Sequence, residues 1–206
     1  MSSKVIIVDY GTGNLHSVTR SLNRLGVRAS VTSCPEDIAS SDKIILPGVG
    51  HFGKTMSRLS RLGFVDVLNE AVMVRGKPIL GICLGKELMA KGCEEGDSDG
   101  LGWFDAKAIR FRISDRIKYK IPHIGWNQIR IQKSSRLMKD IPNFTEFYFL
   151  HSYHFITDDQ EIVLSETEYG SIFPSAVEKD NIFGVQFHPE KSHDAGAQLL
   201  RNFIEL

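Results

Sequence analysis

The segment Gly81-Ile82-Cys83-Leu84-Gly85 sets a thiol between two glycines at the end of an apolar run. Cysteine attacks as the thiolate, and a sharp strand-to-helix turn favours that form, because the helix N-terminus beneath the sulfur stabilises negative charge. Such a turn strains the backbone at the nucleophile and crowds both flanks, which only glycine tolerates. It is the thiol counterpart of the elbow that carries serine in α/β hydrolases. The turn lifts the sulfur above the carboxyl edge of a sheet, where α/β folds bind ligands. It also aims the N–H of Leu84 at a developing oxyanion. The competing reading makes Cys83 a small buried hydrophobe, as free cysteines commonly are.

A thiol nucleophile needs a base, and the base needs an orienting group. The run Gly184-Val185-Gln186-Phe187-His188-Pro189-Glu190 offers both. His188 lies just past a strand-like stretch, Pro189 restricts its backbone, and Glu190 can return to the imidazole and hold its tautomer. Six other histidines compete, namely His16, His51, His123, His151, His154 and His193. None of them has the His-Pro-Glu spacing, though chain order does not by itself establish contact in the fold.

The elements that must position these groups alternate in the first half of the chain. Strands are predicted at Val5 to Tyr10, Ala29 to Thr32, Lys43 to Leu46 and Lys77 to Ile82. Helices are predicted at Ser17 to Leu25, Phe52 to Leu62, Phe64 to Arg75 and about Leu84 to Lys91. That alternation predicts a parallel sheet with helices on both faces. After a loop over Glu94 to Gly102 the pattern turns β-rich. Strands are expected at Ala106 to Phe111, Ile124 to Ile131, Phe147 to His151, Ile162 to Glu166, Ala176 to Glu178 and Ile182 to Gln186, some extending the sheet and others forming antiparallel ribbons. An amphipathic helix over Ser192 to Glu205 closes the chain. With no repeat, low-complexity tract or linker, residues 1–206 read as one α/β domain.

The 206 residues suffice for one such core and not for two. Twenty-five Lys plus Arg balance 25 Asp plus Glu, so no global footprint for nucleic acid or an anionic membrane exists. Cys34, Cys83 and Cys93 are too few and too odd in number for a disulfide framework, which suits a reducing compartment. The apolar run after Met1-Ser2-Ser3-Lys4 is cut short by Asp9, so neither leader nor span is expected, and the cytoplasm is the expected location. Gly11-Thr12-Gly13 after a strand hints at dinucleotide binding, but His16 stands where the third glycine would be. Cysteines and histidines do not cluster at metal-ligand spacing, so neither a metal nor a cofactor is expected.

Together these motifs resemble the class I, or triad, glutamine amidotransferases, nearly along the whole chain. The matching blocks are Asp9-Tyr10-Gly11-Thr12-Gly13-Asn14-Leu15, Leu46-Pro47-Gly48-Val49-Gly50, Gly81 to Gly85, Pro122-His123-Ile124-Gly125-Trp126-Asn127, Phe147 to Tyr153, and Phe187-His188-Pro189-Glu190-Lys191-Ser192. The resemblance implies a flavodoxin-like fold with a mixed, mostly parallel central sheet. It implies that Cys83 attacks the side-chain amide of glutamine, that His188 shuttles protons, and that Glu190 orients His188. Leu84 and the Val49-Gly50 segment would hold the oxyanion, the latter after reorienting. Glutamine would lie against Gly48, Glu87, Glu95, His151, Ser152 and Tyr153. Asn14, Trp126, Asn127 and Lys191 would face a partner. The partner implied is the cyclase (βα)₈-barrel subunit with which such glutaminases serve histidine biosynthesis.

One departure bears on the substrate. The family's elbow usually continues with Met and Gln, where this chain has Lys86 and Glu87. An ionised carboxylate cannot donate a hydrogen bond, so weaker capture of glutamine is expected. Two other functions remain in view. One is the same chemistry serving an enzyme that amidinates a nucleotide-linked sugar for surface polysaccharide. The other is a non-catalytic subunit regulating a partner barrel, against which Cys83, His188 and Glu190 argue.

Overall fold

The computed structural model describes residues 3–206. Met1 and Ser2, part of the stretch read as neither leader nor span, lie outside the described residues. In chain order the elements are β1 (Val5–Val8), α1 (Leu15–Arg24), β2 (Ala29–Thr32), β3 (Lys43–Gly48), α2 (Phe52–Arg61), α3 (Phe64–Asn69), β4 (Ile79–Cys83) and α4 (Leu84–Glu87). They continue with β5 (Ala90–Cys93), β6 (Ser98–Asp99), β7 (Phe104–Arg110), β8 (His123–Gln128), β9 (Arg130–Ile131), β10 (Glu146–His151) and β11 (Tyr153–Ile156). The last are β12 (Val163–Glu168), β13 (Ile172–Lys179), β14 (Ile182–Val185) and α5 (His193–Glu205).

The main sheet runs β2-β1-β3-β4-β14-β13-β12-β9. Its pairings from β2 to β14 are parallel and the rest antiparallel. The expected mixed, mostly parallel sheet is what forms. Successive residues of β1 enter opposite cores: Ile6 and Val8 face α2 and α3, through Phe52, Leu59, Phe64 and Leu68, while Val5 and Ile7 face α1 and α5, through Val18, Leu22, Leu199 and Phe203. A strand covered on both faces must be apolar throughout, which is why these strands read as unbroken runs. Two smaller sheets complete the chain, a ribbon β10-β8 and a four-stranded sheet β11-β7-β5-β6.

Four expectations need correction. The helix after Cys83 stops at Glu87 instead of reaching Lys91. Ala90–Cys93 is drawn into β5 by pairing with β7 and β6, and a Cβ on Gly92 would press on the backbone of Ser98. Tertiary pairing here overrides helix-forming residues. The loop over Glu94 to Gly102 holds β6, and β11 arises where no strand was expected. The helix from Phe64 widens into a π-helical turn over Glu70–Val74 before Arg75.

Candidate active site

Cys83 ends β4 and precedes α4 with φ +55° and ψ −113°, a conformation that non-glycine residues rarely hold. Its neighbours explain how it is kept there. A Cβ on Gly81 would come within 2.8 Å of the Gly85 backbone, and one on Gly85 would run into the carbonyl of Leu46. Each glycine therefore marks a close backbone approach, the first of the turn to itself and the second of α4 to β3. The parallel register sets Gly48 opposite Cys83 and Gly184 opposite Gly81, so the ends of β3, β4 and β14 converge on one edge.

His188 stands just beyond β14. Its N–H donates to the Tyr148 carbonyl at 2.8 Å, and the Ser192 hydroxyl donates to the His188 carbonyl at 2.7 Å. Its Nδ1 lies 2.8 Å from Glu190 Oε1, and both side chains are buried. A carboxylate facing Nδ1 fixes the proton there and turns Nε2 outward as the reactive nitrogen. Nε2 has no hydrogen-bond partner, yet Cys83 is close enough to govern its charge. Burial alone would favour the neutral ring. The Cys83 sulfur and Glu190 outweigh it and raise His188 to about 10, so the ring is held as imidazolium beside the sulfur.

The sulfur opens on a cavity of about 270 Å³ lined by Val49, Gly50, Cys83, Leu84, Glu87, Glu95, Pro122, Leu150, His151, Ser152 and Tyr153. Larger hollows, of about 530 and 900 Å³, lie away from the thiol and hold none of the triad. All but Gly48 of the residues expected to hold the oxyanion or the substrate thus gather around one space. Gly48 packs beneath them, since a Cβ there would meet Tyr10 Oη at 2.6 Å and Gly85 N at 2.8 Å. Gly50 has φ +112° and open space around it, as a reorienting segment requires. Glu95 Oε2 accepts from the Phe52 N–H at 2.7 Å, anchoring the far wall to the start of α2.

Lys86 and Glu87 are both buried. Gln186 bridges them: Lys86 Nζ donates to its Oε1 at 3.1 Å, and its Nε2 donates to Glu87 Oε1 at 2.8 Å. Lys86 also donates to the Pro174 carbonyl at 2.8 Å and lies 4.1 Å above the Phe155 ring. Burial pulls Lys86 down and pushes Glu87 up, each against the attraction of the other. Only Glu87 reaches the cavity. Lys86 does not line it and is spent on Gln186 and the Pro174 carbonyl.

Of the residues expected to face a partner, Trp126 is 45% exposed, stacks on His193 at 5.1 Å and meets the Tyr148 ring edge-on. Lys191 Nζ lies 5.5 Å over the same Tyr148 ring. Asn127 points to the other face of β8, where its amide donates to the Glu168 carbonyl at 3.0 Å. Asn14 caps α1 through its Oδ1 and the Ser17 N–H. Sequence reasoning missed Gln186 as the bridge and Leu150 as the carbonyl facing the sulfur at 3.6 Å. A polar residue within the apolar run Ile182 to Phe187 was the available signal for Gln186. Leu150 acts through its backbone and carried none. Among the described residues, no group of His, Cys, Asp and Glu could hold a metal ion, and no helix is long and apolar enough to cross a membrane.

The family model described as "Glutamine amidotransferase class-I" matches residues 6–206. The chain is 45% identical over 203 residues to imidazole glycerol phosphate synthase subunit HisH 2 of Pseudomonas aeruginosa, covering 98% of this chain and 99% of that one. It is 45% identical over 201 residues to subunit HisH 2 of Methanococcus maripaludis, covering 98% of each. Among solved structures, one titled as a glutamine amidotransferase superposes with a TM-score of 0.75 at 20% identity over 97% of each chain, which speaks for the fold alone.

Proposed function

The chain belongs to the class-I glutamine amidotransferases, and from that premise we propose that it is the glutaminase subunit of an imidazole glycerol phosphate synthase, acting through Cys83, His188 and Glu190. The observation that carries this reading is the convergence of Cys83, a buried His188–Glu190 pair and a cavity of amino-acid size at one sheet edge. In this reading the Cys83 thiolate attacks the side-chain carbonyl carbon of glutamine. The charge on oxygen passes to the N–H groups of Leu84 and of the Val49-Gly50 segment. The imidazolium of His188 gives its Nε2 proton to the departing nitrogen, and ammonia leaves a γ-glutamyl thioester. Neutral His188 then takes a proton from water, whose oxygen attacks the thioester and frees glutamate and the thiol. Glu190 keeps the Nδ1 proton throughout.

The ammonia would pass to a cyclase (βα)₈-barrel subunit docked against Trp126 and Lys191, forming a heterodimer. The names of the relatives, which place them as subunits of a synthase, support this. The family membership is equally compatible with one second reading. In it the chemistry is the same and the ammonia serves a different acceptor, a nucleotide-linked sugar. The test is glutamine hydrolysis by the chain alone, with the cyclase subunit, and with the cyclase subunit plus its acceptor. Stimulation by the cyclase and its acceptor is the expected result. Hydrolysis that ignores both would favour another customer, and no hydrolysis in any arm would refute the glutaminase reading.

A further inference from the structure

We propose that His123 and His151 form a one-way hydrogen-bond relay that positions the Leu150–Tyr153 backbone beside the Cys83 thiol. The role rests on reading the 270 Å³ cavity as the glutamine site. The direction of each bond follows from what its ends can do. The carbonyl of Tyr153 can only accept, so His151 Nδ1, 2.7 Å away, carries a proton. Burial holds His151 well below its ordinary pKa, so the ring is neutral and its Nε2 is a lone pair. His123 Nδ1, 3.1 Å from that nitrogen, must therefore donate. This leaves His123 Nε2 as an acceptor, and Asn127 Nδ2 lies 3.3 Å from it. Asn127 is itself oriented, because its Oδ1 accepts the Gln128 N–H at 2.8 Å.

The surroundings enforce the same proton count. His123 lies between the rings of Phe149 and Tyr169, at 4.8 and 3.8 Å, with Phe111 and Phe173 edge-on. Burial lowers His123 to about 4, and no carboxylate acts on either ring to offset it. An extra proton would place a charge in an aromatic box. Both rings are thus held as Nδ1–H tautomers, the form that a free histidine side chain populates less.

The relay sits where it can matter to the site. His123 and His151 are opposite partners in the β8-β10 ribbon, and His151 is the last residue of β10. Ser152 is the single link from there to β11 in another sheet. On this junction lie the Leu150 carbonyl, 3.6 Å from the sulfur, and the cavity wall of His151, Ser152 and Tyr153. His123 touches none of the cavity and acts through His151, so it is a positioning residue.

Long-range ¹H–¹⁵N correlation of the full chain labelled in histidine reads the tautomers directly. Protonated Nδ1 and bare Nε2 are expected for both His123 and His151 at neutral pH, and a proton on Nε2 of either overturns the relay. In the complex with the cyclase subunit, His123→Phe keeps a flat ring and removes both bonds. Glutamine kcat/KM should fall on the order of 10²-fold, the scale of a small misplacement at the reacting centre, while synthesis from ammonium salts is unchanged. His123→Asn can offer His151 an N–H from nearly the same place and should recover most of the loss. Undiminished glutamine use by His123→Phe refutes the positioning role. If that variant does not fold, the tautomers of the unaltered chain decide. A failure of the unaltered complex to use glutamine would strike the glutaminase reading and leave the tautomer result standing.

Discussion

His188 Nδ1 and Glu190 Oε1 face each other at 2.8 Å across a single proline, both buried to within 2%. Two residues apart, they could meet only because Pro189 begins a short 3₁₀ turn that folds the carboxylate back under the ring. Replacing Glu190 by Gln removes the charge that holds the imidazolium and lets an amide donate to Nδ1, which would expel its proton. Glutamine-dependent kcat should fall by about 10² to 10⁴, with ammonium-dependent synthesis kept. Stopped assays of both activities on one preparation check it.

The elbow glycines set a second expectation. A Cβ at Gly85 has nowhere to go but the Leu46 carbonyl, so Gly85→Ala must part α4 from β3. Overpacking of this kind costs about 1–3 kcal/mol. The urea midpoint should drop accordingly, and thiol alkylation at Cys83 should slow with it. Gly26→Ala provides a control without a clash, since nothing lies within 4 Å of a Cβ there; its cost is only that of φ +77°.

Lys86 and Glu87 are buried ionisable neighbours joined by hydrogen bonds through Gln186. Removing one charge leaves the other stranded, so Lys86→Met should destabilise the fold by about 3–5 kcal/mol, while Lys86→Met combined with Glu87→Gln should be near neutral or stabilising. Denaturant unfolding of the two singles and the double gives the cycle. Glu87→Gln should also lower the KM for glutamine roughly tenfold by restoring a donor at the cavity wall. An unchanged KM would mean that the substrate does not touch Glu87.

Stability should fall as the solution is acidified from neutrality. His123, His151 and His154 have folded pKa values below the ordinary 6.5, all chiefly through burial. Below about 6.5 the unfolded chain binds protons that the folded chain takes up less readily, and each such histidine costs up to about 1.4 kcal/mol per pH unit. Glu87 acts oppositely, because burial raises it and the folded carboxyl gains a proton as pH falls toward 7 and below. It offsets one of the three. His188, raised to about 10, is protonated in both states below 6.5, and its contribution is lost progressively as pH climbs from about 6.5 to about 10. Urea titrations between pH 5 and 7 should therefore give a net positive slope, reduced by one histidine's share in His123→Phe.

The sequence disclosed the parallel half of the sheet because strands buried on both faces must be apolar throughout, as Val5 to Val8 and Ile79 to Ile82 are. It disclosed Cys83 and His188 because a strained turn and a rigid His-Pro-Glu turn leave local signatures. It could not disclose β5, since Ala90 to Cys93 takes its form from β7, more than ten residues on. The inward turn of Asn127 was hidden too: adjacent residues of a strand point apart, and nothing local said that Trp126 held the outer face. Gln186 acquires its meaning only from Lys86 and Glu87, about a hundred residues earlier.

In the proposed function the Cys83 thiol serves ammonia release and nothing else. The direct measurement is product formation by a complex of this chain with a cyclase subunit, fed either glutamine or an ammonium salt, for the unaltered chain and for Cys83→Ala. The variant should lose glutamine-dependent synthesis while synthesis from ammonium proceeds at the unaltered rate. Glutamine-dependent synthesis that survives in Cys83→Ala, or loss of both activities in a variant that folds and assembles, would contradict it.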